Sequence, residues 1–146
     1  MPLKFFKSYT KSTRNTILVD KKNLWKGKSL KSLTVGKHST GGRNNLGRIT
    51  SRSKGAGHKH KFRQIDFYRT KDDLKAKIIR IEYDPNRSAH VALIKYEDGL
   101  MNYILAPNNI KIDDEIISGR GKEIKIGNCM QLSDIPMGTD IHNIEL

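Results

Sequence analysis

Between Asp20 and Asp66 the sequence holds no carboxylate, while 13 Lys and Arg side chains fall in the same stretch. Such a segment repels itself in water, and with few apolar residues it cannot offset its chain entropy by burial. Alone it is expected to be disordered, and a polyanion is the partner that would order it. The rest of the chain sharpens the contrast. Residues 1–70 carry 18 basic and 2 acidic side chains, a balance of +16; residues 71–146 carry 10 and 13, a balance of −3. Together these make the formal net charge of +13. The first half reads as the binding half and the second as the folding half.

With 146 residues there is room for one domain, or for a small domain with extended segments. Cys129 is the single cysteine, which excludes an internal disulfide, leaves no thiolate pair for a structural metal and fits a reducing compartment. Uncharged apolar runs reach four residues, as in Val91 to Ile94, against the roughly 20 that cross a bilayer, so no membrane partner is expected. The opening MPLKFFKSYTKSTRNT is basic, hydroxyl-rich and free of acid, a composition shared with mitochondrial transit peptides.

Residues 1–35 scatter Ile17, Leu18, Val19, Leu24, Trp25, Leu30 and Leu33 without a sustained period, which predicts an extended arm with local anchors, Trp25 among them. Residues 36–60 hold six glycines, at 36, 41, 42, 47, 55 and 57, among Lys, Arg, Asn, Ser and His, and read as a loop. From Lys61 onward short strand-like runs follow, over residues 61–69, 75–83, 89–96, 101–106, 115–117 and 123–126. The clearest alternation places Ile79, Ile81 and Tyr83 on one face and Arg80 and Glu82 on the other. Asp98-Gly99 marks a hairpin, and Asp84-Pro85-Asn86-Arg87 a type I turn. Five or so strands spaced by about ten residues predict a mainly β chain with a small barrel. Phe67, in register with Ile65, is expected in the core, and Tyr68 outside it.

Residues 41–69 carry the chemistry. Arg43, Arg48, Arg52, Lys54, Lys59 and Lys61 supply charge, Asn44 and Asn45 can bond base edges, and glycines let the backbone approach phosphate. That pattern predicts a nucleic-acid-threading loop, although phosphate contacts alone do not separate RNA from DNA. His58 and His60, with His38, His90, His142 and Cys129, raise the question of zinc. Histidines two apart point to opposite sides of an extended chain and the adjacent lysines disfavour a cation, so neither metal nor cofactor is expected; histidines beside RNA stack on bases or bond phosphates. The pairs Asp72-Asp73, Glu97-Asp98 and Asp113-Asp114 fall in turns, Cys129 lacks a histidine-bearing motif, and Gly119-Arg120-Gly121-Lys122 lacks the spacing of a phosphate loop. No active site is visible, and an enzyme is not expected.

The stretches KSYTKSTRN (7–15), GGRNNLGRIT (41–50), GAGHKHKFRQIDFYR (55–69), EYDPNRSAHVALIKYEDG (82–99), YILAP (103–107) and GNCMQLSDIPMGTDIHNIE (127–145) run in order along the chain. In these the sequence resembles the bacterial-type large-subunit ribosomal protein family numbered two. The resemblance implies a basic rRNA-binding arm and Gly-rich loop over residues 1–60, an OB-like five-stranded barrel over 61–126, and the beginning of an SH3-like barrel over 127–146. It implies large-subunit rRNA and other ribosomal proteins as partners, and a structural role in subunit assembly and around the peptidyl-transferase centre. Carried over by motif, the RNA-facing residues include Arg43, Asn44, Asn45, Arg48, Arg52, His58, Lys59, Arg63, Arg69 and Arg87, the last in the turn YDPNRSA.

Two departures stand out. Gly55-Ala56-Gly57 interrupts a three-glycine run of the family, and the family is roughly twice as long as this chain, so its histidine nearest the peptidyl-transferase centre has no counterpart here. The expectation is a separate chain carrying the C-terminal half, paired with residues 141–146. Abundant Ile, Lys and Asn (17, 19 and 10) point to an organelle-encoded protein of a mitochondrial ribosome, with a bacterial cytoplasm or a plastid as the alternative.

Overall fold

A computed structural model describes residues 3–55 and 57–145. Ala56, the interrupting residue, lies outside them, as does Leu146. The chain is mainly β. Its strands are β1 (Leu3–Phe5), β2 (Ile17–Val19), β3 (Thr34–Lys37), β4 (His60–Arg63), β5 (Ala76–Glu82), β6 (Val91–Tyr96), β7 (Met101–Leu105) and β8 (Glu115–Ile116). Four of them make an antiparallel sheet in the order β7-β6-β5-β8, while β1 pairs with β2 and β3 with β4.

The centre of the sheet is β6. Its run Val91 to Ile94 is buried residue after residue, as a strand covered on both faces must be. Two clusters form around it: Ile78, Ile94, Tyr96, Ile104, Ile110 and Ile116 on one side, and Val91, Leu93 and Tyr103 on the other. The hairpin read at Asp98-Gly99 forms, with Gly99 at φ +85° and paired bonds of 2.9 Å between Tyr96 and its partners Gly99 and Leu100.

Along β5 the alternation does not separate core from solvent, for Ile81 packs on the first cluster while its face-mates turn outward. Ile79 and Tyr83 are 39% and 41% exposed, whereas Glu82 on the opposite face is 2% exposed and Asp84 is fully buried. The β5–β6 register slips between Ile78 and Arg80, a bulge that bends the strand. Inside that bend, polar side chains find partners from other strands.

Three strands lie in the arm, where no period announced them, because three or four residues are too few to display one. Leu30 and Leu33 pack on Val91, Leu93 and Tyr103, and β3 aligns Val35 with Phe62 of β4. The arm is thus part of the folded body from Trp25 onward, where the Trp25 N–H donates to the Ile81 carbonyl at 2.8 Å.

Phe67 is 46% exposed, contrary to its expected place in the core. Ile65 does pack inward and bridges Tyr103, but Asp66 then accepts the Arg69 N–H at 2.9 Å and Arg69 takes φ +49°. The turn rotates Phe67 outward, beneath the Arg87 guanidinium at 6.0 Å. The strand expected over 123–126 is also replaced by a turn. Asn128 takes over its pairing, accepting from the Ile117 N–H at 2.9 Å and donating to the Glu123 carbonyl at 2.8 Å. Residues 127–145 hold one 3₁₀ turn, Leu132–Asp134, and the bridge of Cys129 to Ser118; residues 141–145 form no strand. Among the described residues no helix is long and apolar enough to cross a membrane.

Candidate nucleic-acid interface

The glycine-rich segment is an ordered hairpin. The Gly42 carbonyl accepts the N–H groups of Thr50 and Ser51, at 2.9 and 3.1 Å, and the Asn44 N–H donates to the Arg48 carbonyl at 3.0 Å. Asn44 Oδ1 accepts from the N–H groups of Leu46 and Arg48 at 3.0 and 2.9 Å, an Asx turn that spends this oxygen on the loop itself. Arg43 and Ile49 bridge across the stem. Gly42 is the keystone: it is buried at φ +72°, and a Cβ there would run into the Ser51 carbonyl oxygen and lie 3.2 Å from Lys54 Cβ.

Local bonding therefore does what an apolar core does elsewhere, and it turns the charged side chains outward. Arg43, Asn45, Arg48, Arg52 and Lys54 are all exposed, together with Leu46 at the tip and Ile49 on the stem. Arg43, Ile49, Arg52 and Lys54 rim a shallow hollow of about 380 Å³. Such a surface offers guanidinium forks for phosphate oxygens and apolar side chains for the faces of bases or riboses. Gly42→Ala leaves every charge in place, so its expected effect isolates the loop's shape. RNA affinity should fall about tenfold or more through lost preorganisation, with faster amide exchange over residues 42–51. Unchanged affinity would show that charge alone matters.

The surface continues with exposed Lys59, just before β4, and Lys61 on it. His58 precedes the strand, its Nδ1 3.0 Å from the Lys59 carbonyl oxygen, so strand alternation does not govern it. The His58 and His60 rings lie 5.6 Å apart, on neighbouring and not opposite sides. Among the described residues no group of three or more metal-ligating side chains gathers around them or elsewhere.

Arg63 is placed otherwise than the resemblance implied. It is 9% exposed, with Nε 3.4 Å from Glu82 Oε2 and Nη1 3.5 Å from Asp84 Oδ1. Two buried carboxylates need cations more than a solvated phosphate does, and Arg63 supplies one. Arg69 is half-buried and donates from Nη1 to the Gly127 carbonyl at 3.3 Å. Arg87 Nε donates to Asp84 Oδ2 at 2.7 Å, which leaves part of its fork at the surface of the turn.

Asp84 organises that turn. Burial pushes its carboxyl up, but bonds from the Asn86 N–H and Nδ2, at 3.0 and 2.9 Å, and from the Arg87 guanidinium prevail and hold it below the usual carboxylate range. The same Asn86 amide donates to the Lys61 carbonyl at 2.7 Å, tying the turn to β4. Burial likewise raises the Tyr103 phenol, which stays a donor to Glu82 Oε1 at 2.8 Å. Sequence reasoning missed Arg80, Glu82 and Tyr103. The signal was the charged pair at alternate positions of the most regular strand, which reads as a solvent face unless the partners are known.

Comparison with known proteins adds an independent line. Residues 30–118 match the family model described as "Ribosomal Proteins L2, RNA binding N-terminal domain". That span opens at Leu30, where the arm enters the core. Over the whole chain, 58% of residues are identical to "Large ribosomal subunit protein uL2" of Granulibacter bethesdensis, 57% to its namesake in Pelagibacter ubique and 56% to that of Rickettsia prowazekii. The aligned regions cover 53%, 52% and 54% of those proteins, so the chain spans about half the length of the curated relatives it matches.

Proposed function

The chain belongs to the ribosomal protein L2 family, and on that premise we propose that it is a structural constituent of the large ribosomal subunit, bound to large-subunit rRNA and serving translation without chemistry of its own. The observation that carries this reading is the ordered hairpin of residues 41–54, which holds Arg43, Arg48, Arg52 and Lys54 outward in a stretch free of carboxylates. Asn45, His58, Lys59, Lys61 and Arg87 extend the contact surface. Arg63 belongs beneath it, as the cation that fixes the Asp84 turn.

Neighbouring ribosomal proteins complete the proposed setting, with support for subunit assembly and for the region around the peptidyl-transferase centre. Exposed Leu132, Met137, Ile141 and Ile144 favour coverage by polypeptide equivalent to the relatives' remaining half, on this chain or on a separate one. The Ile, Lys and Asn usage favours a mitochondrial ribosome as the particular setting. Sedimentation tests the central claim: at physiological salt the protein should travel with large particles, and the purified chain should prefer large-subunit rRNA fragments to duplex DNA of equal length. A chain that stays in the soluble fraction and binds both alike would be a free nucleic-acid-binding module instead.

A further inference from the structure

We propose that Glu82 is a positioning residue for RNA binding, whose buried carboxylate straps residues 25–34 of the basic arm to the barrel before RNA arrives. The inference rests on the RNA-binding reading above. Glu82 Oε1 accepts from Tyr103 Oη and from Arg80 Nε, both at 2.8 Å, and Oε2 faces Arg63 Nε at 3.4 Å. Each of the three donors reaches on to the arm. Tyr103 Oη accepts the Leu30 N–H at 3.0 Å. The Arg80 guanidinium lies over the Trp25 ring at 4.8 Å and donates from Nη2 to the Lys28 carbonyl at 3.4 Å. Arg63 stands opposite Thr34 in the β3–β4 pair.

One carboxylate thus has three routes into ten consecutive residues. These routes matter because Lys26, Lys28 and Lys31 have no acidic residue of their own between Asp20 and Asp66 to hold the arm in place. An undocked arm would repel itself and would lose its freedom only when RNA bound. A docked arm meets RNA with Lys26, Lys28 and Lys31 already arrayed, so less entropy is lost on association. Buried ionic groups find their best-attested use in setting such registry. An amide cannot substitute for the carboxylate, because its NH₂ would face either Arg63 or the Arg80 and Tyr103 donors.

Trp25 is the single tryptophan and sits under Arg80, so it reports docking directly. In the full chain without RNA, E82Q should shift Trp25 emission to the red and speed amide exchange of residues 25–33. With RNA, its affinity should fall about tenfold, while the slope of log affinity against log salt, which counts phosphate contacts, stays at the wild-type value. Y103F removes one hydroxyl and should move the same readouts in the same direction by less; it decides the matter if E82Q does not fold. Wild-type emission and exchange in folded variants would overturn the strap. Altered emission and exchange with unchanged RNA affinity would overturn the positioning role. A wild-type chain with a protected arm and no RNA affinity would sink the ribosomal reading itself and the RNA role of Glu82 with it, an outcome distinct from loss of the strap.

Discussion

Asp84→Ala is expected to destabilise the protein by about 3–5 kcal/mol, the range for removing one partner of a buried ion pair, and to lower its melting temperature by on the order of 10 °C. The carboxylate is fully buried and faces Arg63 and Arg87, while Asn86 bonds it from backbone and side chain. Removing it leaves Arg87 without a counter-charge and Arg63 with Glu82 alone, and frees the turn that β4 grips through Asn86. The same carboxyl predicts a pH dependence. Its folded pKa is depressed, so its contribution is fully present above the unfolded value of about 3.9 and is lost as pH falls through the folded value. The stability gap between the wild type and Asp84→Asn should therefore stay constant from about pH 7 to pH 5 and narrow below about pH 4. Thermal melts across that range provide the check; a gap as wide at pH 3 as at pH 7 would show that Asp84 is not held as the charged form.

Replacing Arg43, Arg48 and Arg52 together with Ala should weaken rRNA binding on the order of 10²-fold at 0.1 M salt and reduce the log-log salt slope by about 0.7 to 0.9 for each phosphate no longer neutralised. The side chains are exposed and lie outside the Arg63–Glu82–Asp84–Arg87 ion pairs, so the melting temperature should barely move. Arg43 also donates to the Gly41 carbonyl, so the pair Arg48→Ala and Arg52→Ala serves as the control that leaves the stem untouched. An unaltered slope would remove the hairpin from the electrostatic footprint. Set beside Gly42→Ala, the Arg48→Ala, Arg52→Ala pair separates the two contributions: one variant keeps charge and loses shape, the other keeps shape and loses charge.

What was legible in the sequence was what neighbouring residues decide among themselves. The carboxylate-free stretch after Asp20 marks the basic half, because charge segregation needs no fold to be read. Asp98-Gly99 marks a hairpin through the backbone angles it permits, and residues 89–96 read as a strand from their apolar content, within which β6 forms. The basic residues at 43, 48, 52 and 54 were found as candidates because glycine, charge and Asn density are local properties.

The direction in which polar side chains point was decided only by the tertiary structure. Arg80 and Glu82 alternate with Ile79, Ile81 and Tyr83 just as a solvent face would, yet they turn inward, because Arg63 lies 19 residues away from Glu82 in sequence and Tyr103 lies 21 away. Phe67 leaves the core because Asp66 captures the Arg69 N–H, and the arm is ordered because Tyr103 waits for the Leu30 N–H across 73 residues. A buried charge is tolerable only where partners converge from separate strands, and convergence is a property of the folded chain that no window of its sequence contains.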